Sequence, residues 1–108
     1  MNMSEREEHG AMIITLEGRF DFGVRKDFKQ TMDRLQAQGC HHIVLNLEQV
    51  SFIDSSALGL LVIAHQNLKL KAARLSLVKP QNYVKQVLDL ANVPKMIPVF
   101  GDVQQALA

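Results

Sequence analysis

Apolar and polar residues along this chain recur with two periods, one typical of strands and one typical of helices. Residues 12–17 alternate with a period of two and predict a half-buried strand that ends at Gly18. Residues 42–47 are almost continuously aliphatic, which is typical of a strand buried on both faces of a sheet. Two more strands are predicted at residues 75–78 and 96–100, and a proline confines the second of these to a sheet edge.

Four other segments show helical spacing. The first helix is defined by Val24, Phe28, Met32 and Leu35, and the second by the run 57–70. The third is defined by Tyr83, Val87 and Leu90, with Val84 and Leu88 beside them, and the fourth by Val103, Ala106 and Leu107. Gly39 is suited to end the first helix, and residues 102–105 resemble a capping box that would start the last. Alternating strands and helices predict one α/β domain with a largely parallel sheet and helices packed on it. The polar residues 1–10 are predicted to be a flexible leader, which leaves residues 11–108 as the domain.

Composition and charge exclude several classes of function. The net charge is +1 and charged residues make up 21% of the chain, so no strong field favours nucleic acid or an anionic membrane as a partner. The charges are mildly segregated, since residues 1–21 hold five acids and two bases whereas residues 55–79 hold four bases and no acid. A single cysteine, Cys40, permits no intramolecular disulfide and favours a reducing compartment. Because no signal peptide or long apolar run is visible, we expect a soluble cytoplasmic protein without membrane insertion.

Residues 54–59, Asp-Ser-Ser-Ala-Leu-Gly, lie between the central strand and the second helix. Asp54 and Ser55 are residues that commonly cap helices, so capping alone explains either of them. A helix N-terminus also has unpaired backbone N–H groups and a partial positive charge, and it therefore accommodates a bound or covalent phosphate. A serine at this junction can be phosphorylated without disruption of the fold.

Other chemistries have less support in the sequence. A serine hydrolase requires a Gly-x-Ser-x-Gly turn, and neither Ser55 nor Ser56 has that context. A receiver domain would use Asp54 as its phosphoryl acceptor, but the acidic pair that holds magnesium in receivers is missing after the first strand. Residues 40–42, Cys-His-His, are adjacent on one strand and alternate between its faces, so they cannot converge on a metal ion; Cys40 is expected to be a small buried hydrophobic residue. No glycine-rich phosphate loop is present, and we expect no cofactor and no metal.

The stretch Ile43–Gly59 resembles the signature of the anti-sigma factor antagonists, which are single STAS domains of bacterial partner-switching systems. Residues 16–21, Leu-Glu-Gly-Arg-Phe-Asp, are similar to the segment that follows the first strand in that family. The resemblance extends over nearly the whole chain, from Met12 to Leu107. Two positions depart from the family pattern: Ala57 stands where glycine is usual, and Arg19 where glutamate is common.

The resemblance implies a non-enzymatic switch protein with the STAS fold. Its unphosphorylated form would bind a serine kinase of the anti-sigma type, the kinase would phosphorylate Ser56, and a PP2C-type phosphatase would reset the cycle. The free protein is expected to be a monomer. Two further residues, Leu60 and Ile63, share a helical face with Ser56. The expected partner-binding surface comprises Asp21, Asp54, Ser55, Ala57, Leu58, Gly59, Leu60 and Ile63.

Three points remain open at the level of sequence. The kinase could control biofilm formation or motility rather than a sigma factor. The chain could instead be a STAS subunit that regulates a transporter ATPase by docking, without a phosphorylation cycle, although the intact second serine favours the switch. Leu60 and Ile63 could be buried in the core instead of exposed at the partner surface.

Overall fold

The computed structural model of this protein describes residues 1–108 and contains five strands and four helices. In chain order they are β1 (Asn2–Glu8), β2 (Ala11–Phe20), α1 (Arg25–Ala37), β3 (His42–Ile53), α2 (Ser55–Leu70), β4 (Arg74–Val78), α3 (Asn82–Leu90), β5 (Val99–Phe100) and α4 (Val103–Leu107). Two short 3-10 turns lie at Phe22–Val24 and Val93–Lys95. The predicted α/β class is confirmed.

The five strands form one sheet in the order β1-β2-β3-β4-β5. Strands β2 to β5 are mutually parallel, and only β1 is antiparallel to its neighbour. The sheet is therefore mixed and largely parallel, as predicted. Each parallel strand lies next to the one before it in the chain, and right-handed crossovers in a constant direction place the connecting helices α1, α2 and α3 on one face.

Alternate residues of the central strands fill two separate cores. The larger core lies between the sheet and helices α1, α2 and α3, and it receives Ile14 and Leu16 of β2 together with Ile43, Leu45 and Leu47 of β3. The smaller core lies under α4 on the opposite face and contains Ala11, Ile13, Val44, Val78, Val103 and Ala106. Because β3 is covered on both faces, nearly every residue of its first half is apolar.

Residues 1–10 differ from the expectation of a flexible leader, because they form β1 and a turn. Asn2 pairs with Glu17 at one end of the hairpin and Glu8 pairs with Ala11 at the other. Most β1 side chains are exposed, so the strand has no apolar alternation that the sequence could reveal. The turn between the strands has positive φ at both His9 and Gly10, +52° and +81°, as a tight two-residue hairpin turn requires.

Strand β2 is longer than predicted, because it continues past Gly18 and does not end there. The register shifts between Thr15 and Glu17 and again between Gly18 and Arg19, and each time β3 bulges by one extra residue. The φ of Gly18, +107°, is accessible to glycine at little cost. The strand continues to Phe20, which is fully buried and pairs with Ile53 at the end of β3. This continued pairing brings the segment after β2 beside the end of β3.

Three smaller expectations are corrected by the structure. Strand β5 contains only Val99 and Phe100, since Val93–Lys95 form a 3-10 turn and Ile97 fills the core. On α3 the buried side chains are Val84 and Leu88, whereas Tyr83 and Leu90 are exposed. Cys40 is only half-buried, and its thiol donates a hydrogen bond to the carbonyl of His42 at 3.4 Å.

Two polar side chains, His42 and Ser76, are buried on the α4 face of the sheet. The His42 Nε2 and Ser76 Oγ atoms lie 2.8 Å apart and satisfy each other's hydrogen-bonding capacity. Burial, and to a lesser extent the positive charge of Arg74, lowers the pKa of His42 from 6.5 to about 4. The imidazole is therefore neutral at pH 7.

A neutral buried histidine makes the free energy of unfolding depend on pH. The unfolded chain takes up a proton at His42 below pH 6.5, whereas the folded chain does so only near pH 4. The stabilisation from this group is complete above pH 6.5 and is lost as the pH falls towards 4. We expect a loss of about 2 kcal/mol between about pH 7.5 and about pH 5.

His42→Gln should remove this part of the pH dependence, because glutamine can still bond to Ser76 but does not titrate. Denaturant unfolding of wild type and variant at the two pH values measures the difference. His65→Gln, which removes a histidine outside the buried pair, should keep the wild-type dependence. An equal loss of stability between the two pH values in wild type and in His42→Gln would contradict the assignment of this pH dependence to His42.

Candidate functional site

The carboxylate of Asp54 joins the start of α2 to the loop that follows β2. Its Oδ1 atom accepts a hydrogen bond from the backbone N–H of Ala57 at 2.9 Å, which caps the helix. Its Oδ2 atom accepts a hydrogen bond from the backbone N–H of Phe22 at 3.2 Å. The N–H of Asp54 itself donates to the carbonyl of Phe20 at 3.3 Å. These bonds hold the loop and the helix N-terminus in one fixed arrangement.

Asp21 lies in that loop and shapes its turn. Its Oδ1 atom accepts a hydrogen bond from the N–H of Gly23 at 3.0 Å, and its Oδ2 atom lies 3.4 Å from Nε of Arg19. Because the next residue, Phe22, is bonded to Asp54, the structure brings Asp21 beside the start of α2. The two aspartates thus belong to one surface, although they are far apart in the sequence.

Ser55 and Ser56 occupy the first two positions of α2, directly after its cap. Ser55 is exposed and Ser56 is half-buried. Neither hydroxyl has a hydrogen-bond partner within the chain. The Asp54 side chain accepts the N–H of Ala57 only. The backbone N–H groups of Ser55 and Ser56 therefore stay unpaired at the start of the helix. A phosphate on either serine would meet unpaired donors and the positive end of the helix dipole.

Ala57 does not belong to the accessible surface, and its expected role in partner binding is corrected. Its side chain is completely buried, because position 57 lies on the face of α2 that packs on the sheet. Its methyl group fills the core. Gly59 is exposed, and Leu58 is half-buried against the core.

Leu60 and Ile63 follow Ser56 along one side of α2. Ile63 is 54% exposed, whereas Leu60 is half-buried and packs partly against the core. Both line a shallow groove of about 90 Å³ between α1 and α2, opposite Phe28 and Met32. Of the two residues, Ile63 is the one that presents most apolar surface to a partner.

The exposed ring of Phe22 is a part of this surface that the sequence did not indicate. It is 56% exposed, and the Arg25 guanidinium lies 3.8 Å from its ring centroid. A phenylalanine between a strand and a helix has no periodicity that distinguishes an exposed from a buried ring. Only its backbone bond to Asp54 places it beside the start of α2.

Arg19, which departs from the family pattern, has a clear structural role. Its guanidinium lies 4.0 Å above the centroid of the Phe52 ring, and that ring stacks on Tyr83 at a centroid distance of 6.4 Å. A cation over an aromatic face is attracted by the ring quadrupole, which a glutamate at this position could not exploit. The arginine therefore links β2, β3 and α3 at the surface.

Comparison with known proteins identifies the family. A family model described as STAS domain matches residues 2–106. The anti-sigma F factor antagonist of Paenibacillus polymyxa is 29% identical over 110 residues, which cover 99% of this chain and 94% of that protein. The chain belongs to the STAS domain family.

Solved structures share the same fold. The anti-sigma factor antagonist SpoIIAA in its unphosphorylated form matches with a TM-score of 0.83 and 22% identity, over 98% of this chain and 93% of that one. The phosphorylated form of the Bacillus cell fate determinant SpoIIAA matches with a TM-score of 0.75 and 21% identity, over 98% and 96%. A sulfate transporter family protein of Wolinella succinogenes reaches 0.80 with 20% identity, over 93% and 84%. None of the helices of the present chain is both long and apolar enough to cross a membrane.

The bridge made by Asp54 can be separated from its capping role by Asp54→Asn. Asparagine caps a helix well through its carbonyl oxygen, but its amide nitrogen cannot accept the Phe22 N–H. We expect a loss of about 0.5–1.5 kcal/mol in the free energy of unfolding, with faster amide exchange at Phe22.

Asp102→Asn is the matched control, because Asp102 caps α4 through Gln105 without a bridge to another loop. It should cost less stability than Asp54→Asn and leave exchange at Phe22 unchanged. Equal effects of the two variants would show that Asp54 acts only as a cap.

Proposed function

We propose that this protein is a phosphorylation-controlled partner switch of the anti-sigma factor antagonist type, with Ser56 as the acceptor. The observation that carries the proposal is the first turn of α2, where two unengaged serine hydroxyls follow a cap that leaves adjacent N–H groups unpaired. Membership of the STAS family and similarity to an anti-sigma F factor antagonist support it. The partner is a serine kinase of the anti-sigma type, a PP2C-type phosphatase resets the cycle, and the cycle operates in the cytoplasm.

The partner surface, in this proposal, flanks Ser56 on two sides. Asp54 fixes the loop that contains Asp21 and Phe22 on one side, and Ile63 supplies exposed apolar area two turns along α2. Aromatic side chains are enriched in the cores of protein interfaces, and an exposed aliphatic residue beside them adds apolar area for a partner to bury. The unphosphorylated surface is therefore suited to a partner with an apolar contact around a neutral hydroxyl.

Phosphorylation acts at the interface and leaves the domain intact. A phosphate adds about −1.5 to −2 charges at neutral pH. Within the domain, the helix dipole favours this charge by about 0.3–1 kcal/mol, and the nearby carboxylate of Asp54 opposes it. At the interface, the same group must lose hydration against a surface made for a hydroxyl. A cost of about 2–4 kcal/mol weakens binding by roughly thirtyfold to a thousandfold.

The assignment of Ser56 is tested with the kinase that co-purifies with the tagged protein from its native cell and is identified by mass spectrometry. We expect ATP-dependent phosphorylation of wild type and Ser55→Ala, and none of Ser56→Ala. Ser56→Ala should bind the kinase like the unphosphorylated protein, and Ser56→Asp should bind at least about tenfold more weakly, since a fixed charge replaces the hydroxyl. Phosphate mapped to Ser55 or Asp54 would refute Ser56 as the acceptor. Tight binding of the kinase that does not change with ATP would refute the switch and favour constitutive docking.

The apolar part of the surface is tested by Ile63→Asp. Because Ile63 is 54% exposed, the variant should fold with a melting temperature close to that of wild type, yet bind the kinase at least about tenfold more weakly. Leu90→Asp is the matched control, since Leu90 is 86% exposed on α3 and lies outside the proposed surface. Calorimetry of binding and circular dichroism separate the two effects. Unchanged affinity of Ile63→Asp would exclude this face of α2 from the interface.

A further inference from the structure

A cleft of about 400 Å³ opens at the end of the sheet opposite Ser56, where the parallel strands begin. Four chain segments meet there: the turn between β1 and β2, the start of β3, the connection from α2 to β4, and the end of α4 at Leu107. The polar side chains that line the cleft are His9, His41, His42 and Arg74. The rest of the lining is small or apolar, and it includes no acid. The volume lies within the range of about 300–1,000 Å³ that is typical of small-molecule sites.

The proposed switch does not use the positive charge at this end of the molecule. Residues 55–79 contain four bases and no acid, and three of these bases, Lys69, Lys71 and Arg74, lie at the end of α2 and the start of β4. The four ion pairs of the structure involve other residues, so these three cations have no acidic partner in the chain. Two acids of β1 lie close to the cleft: Glu8 directly precedes His9 and is paired with Arg6, and Glu7 lines an adjoining depression of about 210 Å³.

The helix dipole is too weak to reverse this positive field. The C-terminus of α2 carries about half a negative elementary charge, and the effect falls off within the last turn. Lys71, directly after the helix, and Arg74 in the cleft wall together carry two full positive charges. The net local field therefore favours an anion.

We propose that this cleft binds a phosphate-bearing ligand, with Arg74 as the principal contact. The planar guanidinium of arginine presents paired donors that match two oxygens of a phosphate group, and this charge-assisted geometry is stronger than a neutral hydrogen bond. The imidazoles of His9 and His41 supply further donors from two other segments. The small side chains of Ala72 and Ala73 leave room for the organic part of the ligand.

The buried histidine provides an internal reporter of binding. The charge of Arg74 contributes to the low pKa of His42. A phosphate bound at Arg74 offsets that charge, so the pKa of His42 should rise when ligand is present. His65, on α2, does not line the cleft and serves as the reference histidine in the same protein.

The experiment follows the histidine ring resonances of the full chain by NMR during titration with inorganic phosphate and with glycerol 3-phosphate, against chloride at equal ionic strength. We expect saturable shifts of His41 and His42, half-complete near about 1 mM, and no shift of His65. Arg74→Gln should weaken binding at least about tenfold and raise the pKa of His42 without any ligand. Lys95→Gln removes an equal charge from a 3-10 turn outside the cleft and should leave the affinity unchanged.

A second arm identifies the source of the phosphate. Vesicles of phosphatidylglycerol and of phosphatidylcholine are compared in a sedimentation assay with wild type and Arg74→Gln. Saturation by glycerol 3-phosphate supports a soluble phosphate ester as ligand, and a response confined to phosphatidylglycerol that is lost in Arg74→Gln supports the same site for a lipid headgroup. The proposal is overturned if neither arm gives saturable binding, or if Arg74→Gln binds as well as wild type.

Discussion

Burial of the central strand β3 on both faces is the constraint on which the other features depend. Its first half packs against three helices on one side and against α4 on the other, so its register and direction are fixed. The strand spans the sheet from one end to the other. It therefore presents Asp54 and the two serines where it ends and His42 where it begins. Both candidate sites of the molecule take their position from this one element.

The two ends of the sheet have opposite electrostatic character. At the end where the strands finish, Asp54 and Asp21 surround a helix N-terminus, and their carboxylates are largely occupied with backbone N–H groups. At the other end, unpaired cations and histidines surround the cleft. A parallel sheet with its crossover helices on one face places the positive ends of the helix dipoles where the strands finish and the negative ends where they start, because each crossover helix begins near the ends of the strands and finishes near their starts. The side chains at both ends therefore oppose these dipoles.

The sequence predicted the fold class because its periodicities are strong wherever an element has one buried face. The aliphatic run of β3 and the spacing of Phe28, Met32 and Leu35 on α1 appear in the structure as expected. Asp102 caps α4 as predicted, but the Gln105 side chain accepts the N–H of Gly101 and does not complete the capping box at Asp102. The sequence did not reveal β1, since a strand at the sheet edge is held by backbone bonds and needs no apolar alternation. Nor did it predict the continuation of β2 beyond Gly18, because a glycine with positive φ can end a strand or continue it opposite a bulge in the neighbouring strand.

By itself, the sequence determined which residues carry the candidate chemistry: the aspartate, the two serines and the helix that they start. Tertiary structure decided which side chains surround them. It buried Ala57, exposed Ile63, and brought Phe22 to the carboxylate of Asp54 from a loop 32 residues away. It also placed histidines and an arginine from separate segments of the chain around one cleft. Local propensity and capping depend on neighbours along the chain, whereas exposure and convergence depend on how distant strands align, and only the packed sheet fixes that alignment.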